Sequence, residues 1–211
     1  MSSSKSKNNR YSQMLNPNSR GRPRKASKSD LSNRAMKIYG EYGISNISFN
    51  EVCRKLDIAK PSIYRTFGNE DGLVAATLEK YAAEVIPSML AIIKSNRDFP
   101  AQLNELQDLI LAVTEENREG CLLLQARRQK GNLGDKAKTL LSTIDKKFSA
   151  SVMVWLEESK KRGHVRKNIK VASGAQLILS QIGFAQYSLS IGLSVEETRE
   201  VMALSLSSLS H

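Results

Sequence analysis

From Asp30 to the C-terminus, apolar residues return every three or four positions, and no stretch alternates as a strand would. A chain with that spacing folds as packed helices, so the expected class is all-α. No hairpin signal and no internal repeat interrupts the pattern. Hydrophobic residues make up 40% and charged residues 25%, with 12 Gly and 5 Pro, which excludes a collagen-like or wholly disordered chain. The 211 residues are enough for one or two domains with a real core.

Local chemistry marks the helix ends. Leu31, Ala35, Ile38, Tyr39 and Tyr42 share one face, and Gly43 offers a stop. Ser48-Phe49-Asn50-Glu51 reads as a capping box, opening a short helix that turns Val52, Cys53 and Leu56 inward. After Asp57-Ile58-Ala59 a second short helix begins, with Pro61 in its first turn and Ile63 and Phe67 facing the core. Longer helices are expected over about 69–94 with Pro87 as a bend, 100–116, from near Gly120, 135–162, 171–191 and 195–209. The last opens on another capping box, Ser194-Val195-Glu196-Glu197.

Charge is distributed unevenly. Residues 1–68 hold 14 Lys/Arg against 4 Asp/Glu, whereas residues 69–211 hold 18 against 17. Such one-sided basic charge is the footprint of a polyanion binder. A solubilising tail would explain residues 1–28, read here as a disordered arm, but not Arg34, Lys37, Arg54, Lys55, Lys60 and Arg65 within helical patterns. Two short helices joined by a tight turn suit a helix-turn-helix, whose second helix enters the major groove. With Ile63 and Phe67 inward, Lys60, Ser62, Arg65 and Thr66 face outward, where Lys and Arg can donate to guanine O6 and N7. A plain helical hairpin with a solvated basic face would show the same pattern.

The segment ISFNEVCRKLDIAKPSIYRTFGNEDGL resembles the DNA-binding segment of TetR/AcrR-type regulators, with Val52, Ile58, Ser62, Ile63, Tyr64, Phe67, Asp71 and Leu73 at matching positions. The resemblance is strong over about residues 20–75 and weak beyond. It implies a three-helix helix-turn-helix domain at 29–75 and a helical ligand-binding and dimerisation domain at 76–211. It implies base contacts from Lys60, Pro61, Ser62 and Arg65, and phosphate contacts from Ser48, Tyr64 and Thr66, although Tyr64 can also simply pack on the core. Three positions depart from the family: Cys53 replaces a small Ala, Asp57 the usual turn Gly, and Glu70 a Lys that contacts phosphate. Cys53 still suits a small apolar site. Asp57 tolerates a left-handed turn better than most residues.

Arg20-Gly21-Arg22-Pro23-Arg24 resembles the core of an AT-hook. Gly and Pro keep such a segment thin, so that Arg20, Arg22 and Arg24 can enter a narrow minor groove. Similar arms precede the helix-turn-helix in many family members.

The expected partners are a palindromic double-stranded DNA operator, a second copy of the chain and a small-molecule effector of unknown identity. The dimer is expected through the last two helices, on Ala175, Ile178, Ile182, Ala185, Leu189, Val201 and Met202, although these residues could instead form a monomer's core. Tyr81, Met89, Cys121, Gln125, Phe148 and Trp155 are candidate effector-pocket residues, each also a candidate for plain core, and Cys121 also for a redox-sensitive thiol. The uncharged run 171–195 holds five Ser, three Gln and three Gly, too polar for a membrane span.

No catalytic residue, metal site or cofactor is expected: there is no nucleophile elbow or phosphate-cradling Gly loop, and Cys53, Cys121, His164 and His211 show no metal spacing. The polar start, MSSSKSKNNR, shows no signal peptide. With two distant cysteines this suits a reducing cytoplasmic, nucleoid-associated protein. The expected function is a ligand-released transcriptional repressor. The alternative is a DNA-binding protein acting by architecture or through another protein, and a ligand cavity separates the two.

Overall fold

A computed structural model of the chain describes residues 27–116 and 121–210. Among these residues there are nine α-helices, one 3-10 turn at Lys130–Asn132 and no strand. The helices are α1 (Lys28–Tyr42), α2 (Phe49–Leu56), α3 (Lys60–Phe67), α4 (Glu70–Ile93), α5 (Phe99–Glu116), α6 (Leu122–Arg128), α7 (Asp135–Lys161), α8 (Val171–Ser190) and α9 (Val195–Ser207). The all-α expectation holds, and α7, α8 and α9 begin where the sequence placed them.

Capping accounts for several of these ends. Ser27 starts α1 by accepting from the Asp30 N–H at 3.0 Å, four residues before the first apolar position. Both capping boxes are complete: Ser48 and Glu51 exchange bonds at α2, and Ser194 and Glu197 do so at α9. Hydrogen bonding from the cap serines holds the carboxyls of Glu51 and Glu197 below the usual carboxylate range. Asp57 adopts the left-handed conformation, φ 53° and ψ 50°, that lets α2 stop and α3 set off in a new direction. Pro87 lies inside α4, which continues through it.

Two hydrophobic clusters hold the chain. The first gathers Leu31, Tyr39, Val52, Leu56, Ile63, Phe67, Leu73 and Leu78, and also Leu122, Ala126, Ala137 and Leu141. The core of the N-terminal helices therefore does not stop near residue 75; it continues into α6 and the start of α7. The second joins α4, α5, α7, α8 and α9 around Phe99, Leu111, Trp155, Leu156, Ile178 and Met202. Helix α4 spans both clusters, packing on α1 and α3 at one end and on α5, α6 and α7 along its length. Gly72 allows its tight start, since a Cβ there would lie 1.9 Å from the Phe67 carbonyl oxygen.

Among the described residues, no helix is long and apolar enough to cross a membrane. No group of His, Cys, Asp or Glu among them could hold a metal ion.

Candidate functional site

Helices α2 and α3 are joined by three residues, and α1 packs against α2. Val52, Leu56 and Ile63 are wholly buried, which fixes the opposite side of α3 as the outer one. Lys60, Pro61 and Arg65 are exposed there, and Ser62 and Thr66 are half-exposed. Thr66 donates its hydroxyl to the Ser62 carbonyl at 2.9 Å, and Arg65 Nη2 donates to Ser62 Oγ at 3.2 Å. The Arg65 guanidinium is thus held along the helix with donors left for a base edge.

Tyr64 combines packing and exposure. Its ring stacks on Phe49, 5.7 Å between centroids and 9° between planes, yet it remains 42% exposed. Lys60 Nζ stands over both rings, at 5.2 Å from Phe49 and 5.8 Å from Tyr64. A cation over aromatic faces is steadied without losing its charge, so the Lys60 ammonium is aimed before any polyanion arrives. Lys55 is fixed likewise, 4.1 Å above the Tyr42 ring and donating to its hydroxyl at 2.8 Å. Ser48 is exposed, and its hydroxyl is engaged with Glu51. Arg34, which the sequence left on a basic face, donates to the Leu56 carbonyl and closes the end of α2. Arg20, Arg22 and Arg24 lie outside the described residues.

The position of Glu70 follows from Asn69, which caps α4 by accepting from the Gly72 N–H at 2.8 Å. Glu70 is exposed in the first turn, close enough for its charge to help raise the Tyr39 hydroxyl pKa, though burial is the larger cause. Asp71 has a role that no local pattern announced. Its carboxylate accepts from the Lys136 N–H at 2.8 Å and the Ala137 N–H at 3.1 Å, capping α7 from 65 residues away. The cap residue of α7 is Gly134, which has no side chain to do this.

A cavity of about 650 Å³ lies among α4, α5, α6, α7 and α8. Of the six candidate pocket residues, Tyr81, Met89, Cys121 and Phe148 line it. Gln125 and Trp155 do not. Trp155 is turned toward α5 instead, its indole N–H donating to Gln102 Oε1 at 2.7 Å. The Gln102 amide in turn donates to the Ile92 carbonyl at 3.1 Å and the Ser95 carbonyl at 3.0 Å, closing the C-terminal end of α4. Arg127 and Asp145 pair in the cavity wall through bonds of 2.9 and 2.6 Å.

The residues expected at a dimer surface are placed differently. Ala175, Ile178, Ala185 and Met202 are at most 3% exposed and belong to the chain's own second core. Ile182 lines the cavity, Leu189 is half-buried, and only Val201 is exposed. The small residues of α8 serve its approach to α7: a Cβ on Gly174 would meet Leu156 Cδ2 at 2.5 Å. The apolar side chains left on the outside of these two helices are Tyr187, Ile191, Val201 and Leu204, the last 73% exposed. Tyr187 lies on the last turn of α8 with Ile191 just past its end, and Val201 and Leu204 sit at i, i+3 on one face of α9.

Comparison with known proteins agrees with this geometry. Residues 32–77 match the bacterial regulatory proteins of the tetR family. No curated protein matches the sequence. Among solved structures, a TetR-family transcriptional regulator from Agrobacterium tumefaciens is similar with a TM-score of 0.74 at 14% identity, covering 87% of this chain and 98% of that one. NemR of E. coli in its reduced form is similar with a TM-score of 0.72 at 14% identity, covering 87% and 97%. The regulatory protein TetR from Rhodobacter sphaeroides is similar with a TM-score of 0.71 at 16% identity, covering 86% and 96%. At these identities the structures establish a shared fold, and over residues 32–77, which run from α1 into the start of α4, the chain is similar to the bacterial regulatory proteins of the tetR family.

Proposed function

We propose that the chain is a dimeric repressor, released from a palindromic operator when a small molecule enters the cavity among α4–α8. One observation carries this reading: α4 is shared. Tyr81, Val85, Ile86 and Met89 of α4 line the cavity, and the first turns of the same helix support α1 and α3. A ligand that shifts α4 changes the angle at which α3 is presented. A DNA-binding protein acting by architecture alone needs no such cavity, so its volume favours the effector reading.

In this reading Lys60, Pro61, Ser62 and Arg65 contact bases, and Tyr64 and Thr66 contact phosphates. Arg20, Arg22 and Arg24 add minor-groove contacts. Ser48 would donate its hydroxyl to a phosphate in place of Glu51, to which it donates at 2.9 Å. The dimer forms through α8 and α9 of each copy, on the outer face carrying Tyr187, Ile191, Val201 and Leu204. Two recognition helices then meet half-sites one helical turn, or a multiple of it, apart.

The test is a fluorescence-anisotropy titration on a fragment selected from genomic DNA, repeated against a panel of small molecules. Repression with release predicts tight binding that one class of compound weakens. Binding that no cavity ligand alters would favour the architectural alternative.

A further inference from the structure

The cavity wall restricts which effector it can hold. Three charged side chains line it: Arg127, Asp145 and Lys146. Arg127 and Asp145 satisfy one another, and Lys146 is exposed, with its ammonium free to stay in water. Among the described residues the interior therefore offers no unpaired charge, and a ligand ion buried against them would go uncompensated. The remaining wall is largely Val, Ile, Leu, Met and Phe.

Two buried polar atoms of the wall stand out among its polar groups. The Tyr81 hydroxyl is buried on a side chain only 7% exposed, beside the Cys121 thiol and the Leu122 N–H, but makes no hydrogen bond of ordinary geometry. Gln186 Nε2 is likewise buried and unpartnered. A buried donor with no acceptor is costly, and such atoms in natural proteins call for an explanation. Thr114, also on the wall, needs none, because its hydroxyl donates to the Ile110 carbonyl at 2.7 Å. Burial also holds the Tyr81 phenol protonated, as a neutral donor.

We infer that the effector is an uncharged, mainly apolar molecule whose carbonyl-type oxygen accepts hydrogen bonds from Tyr81 and Gln186. This rests on the cavity being the effector site. The volume of about 650 Å³ falls within the usual range for sites that take drug-sized molecules.

The experiment uses the full chain and Nile red, an uncharged apolar dye, titrated to saturation and then displaced by decan-2-one, decanoate or decyltrimethylammonium. The expected result is one dye site per protomer, with the ketone displacing at a concentration at least tenfold below either ion. Tyr81→Phe should weaken ketone binding about threefold to tenfold, the worth of one neutral hydrogen bond. It should leave the melting temperature unchanged or raised, because an unpaired buried hydroxyl has gone. Better displacement by either ion, or an unchanged ketone affinity in Tyr81→Phe, overturns the inference while leaving the effector site standing. Failure of the dye and all three competitors to bind removes the effector site and this inference with it.

Discussion

Replacing Asp71 tests whether one carboxylate ties the DNA-binding helices to the cavity wall. Asp71 accepts two backbone N–H groups at the start of α7, whose own cap residue is Gly134. Losing a cap of this kind costs typically about 1 kcal/mol and up to ~2. Asp71 is half-buried, so Asp71→Ala should cost ~1–2 kcal/mol. At this chain length that is a fall in melting temperature of about 2–8 °C. The decisive variant is Gly134→Ala. Its Cβ would lie 2.3 Å from Asp71 Cγ and 2.6 Å from each carboxylate oxygen, so the carboxylate must swing away and both bonds are lost. Gly134→Ala should then cost about as much as Asp71→Ala. Combined, they should cost little more than either alone, with a coupling of about 1 kcal/mol in the double-mutant cycle. Urea melts of the four proteins measure it. Simple additivity would refute the tie.

Three further outcomes follow from the same geometry. Arg65→Ala should weaken specific DNA binding by about 1–3 kcal/mol and relax preference at one position per half-site, read by competition with single-base operator variants. Glu70→Lys should cost ~0.3–1 kcal/mol of stability at the α4 N-terminus, yet tighten binding to operator and random duplex alike. Its log K against log salt should steepen by about one unit per protomer, and an unchanged slope would mean that Glu70 points away from DNA. Leu204→Glu combined with Tyr187→Glu should yield folded monomers by sedimentation, whereas a charge at Ala185 should unfold the protomer, because that methyl lies in its own core.

What the sequence disclosed, it disclosed locally. Ser48-Glu51, Ser194-Glu197, the Asp57 turn and Pro61 each act within a few residues, and each stands in the structure where its chemistry put it. The inward positions Ile63 and Phe67 were legible because a short helix with one apolar stripe has one way to face a core. Helix α8 has apolar and small residues on more than one side, so spacing could not say which side meets α7, which the cavity and which the outside. Its residues Ala175, Ile178 and Ala185, expected outside, face inward. Trp155 was drawn from the pocket by Gln102, an unremarked amide 53 residues earlier. In the sequence Asp71 shows nothing beyond its match to a family position. Its role became visible once folding brought the bare N-terminus of α7 beside it, a contact no helical period encodes.

Helix α3, in the proposed function, reads a specific sequence in duplex DNA. Iterative selection of the purified chain on a random-sequence duplex pool tests it most directly, with Lys60→Ala/Arg65→Ala selected in parallel. The expected result is enrichment of an inverted repeat, its half-sites about one helical turn or a multiple apart, that is lost or degenerate in the double variant. Enrichment of no motif, or of the same motif by both proteins, would contradict it.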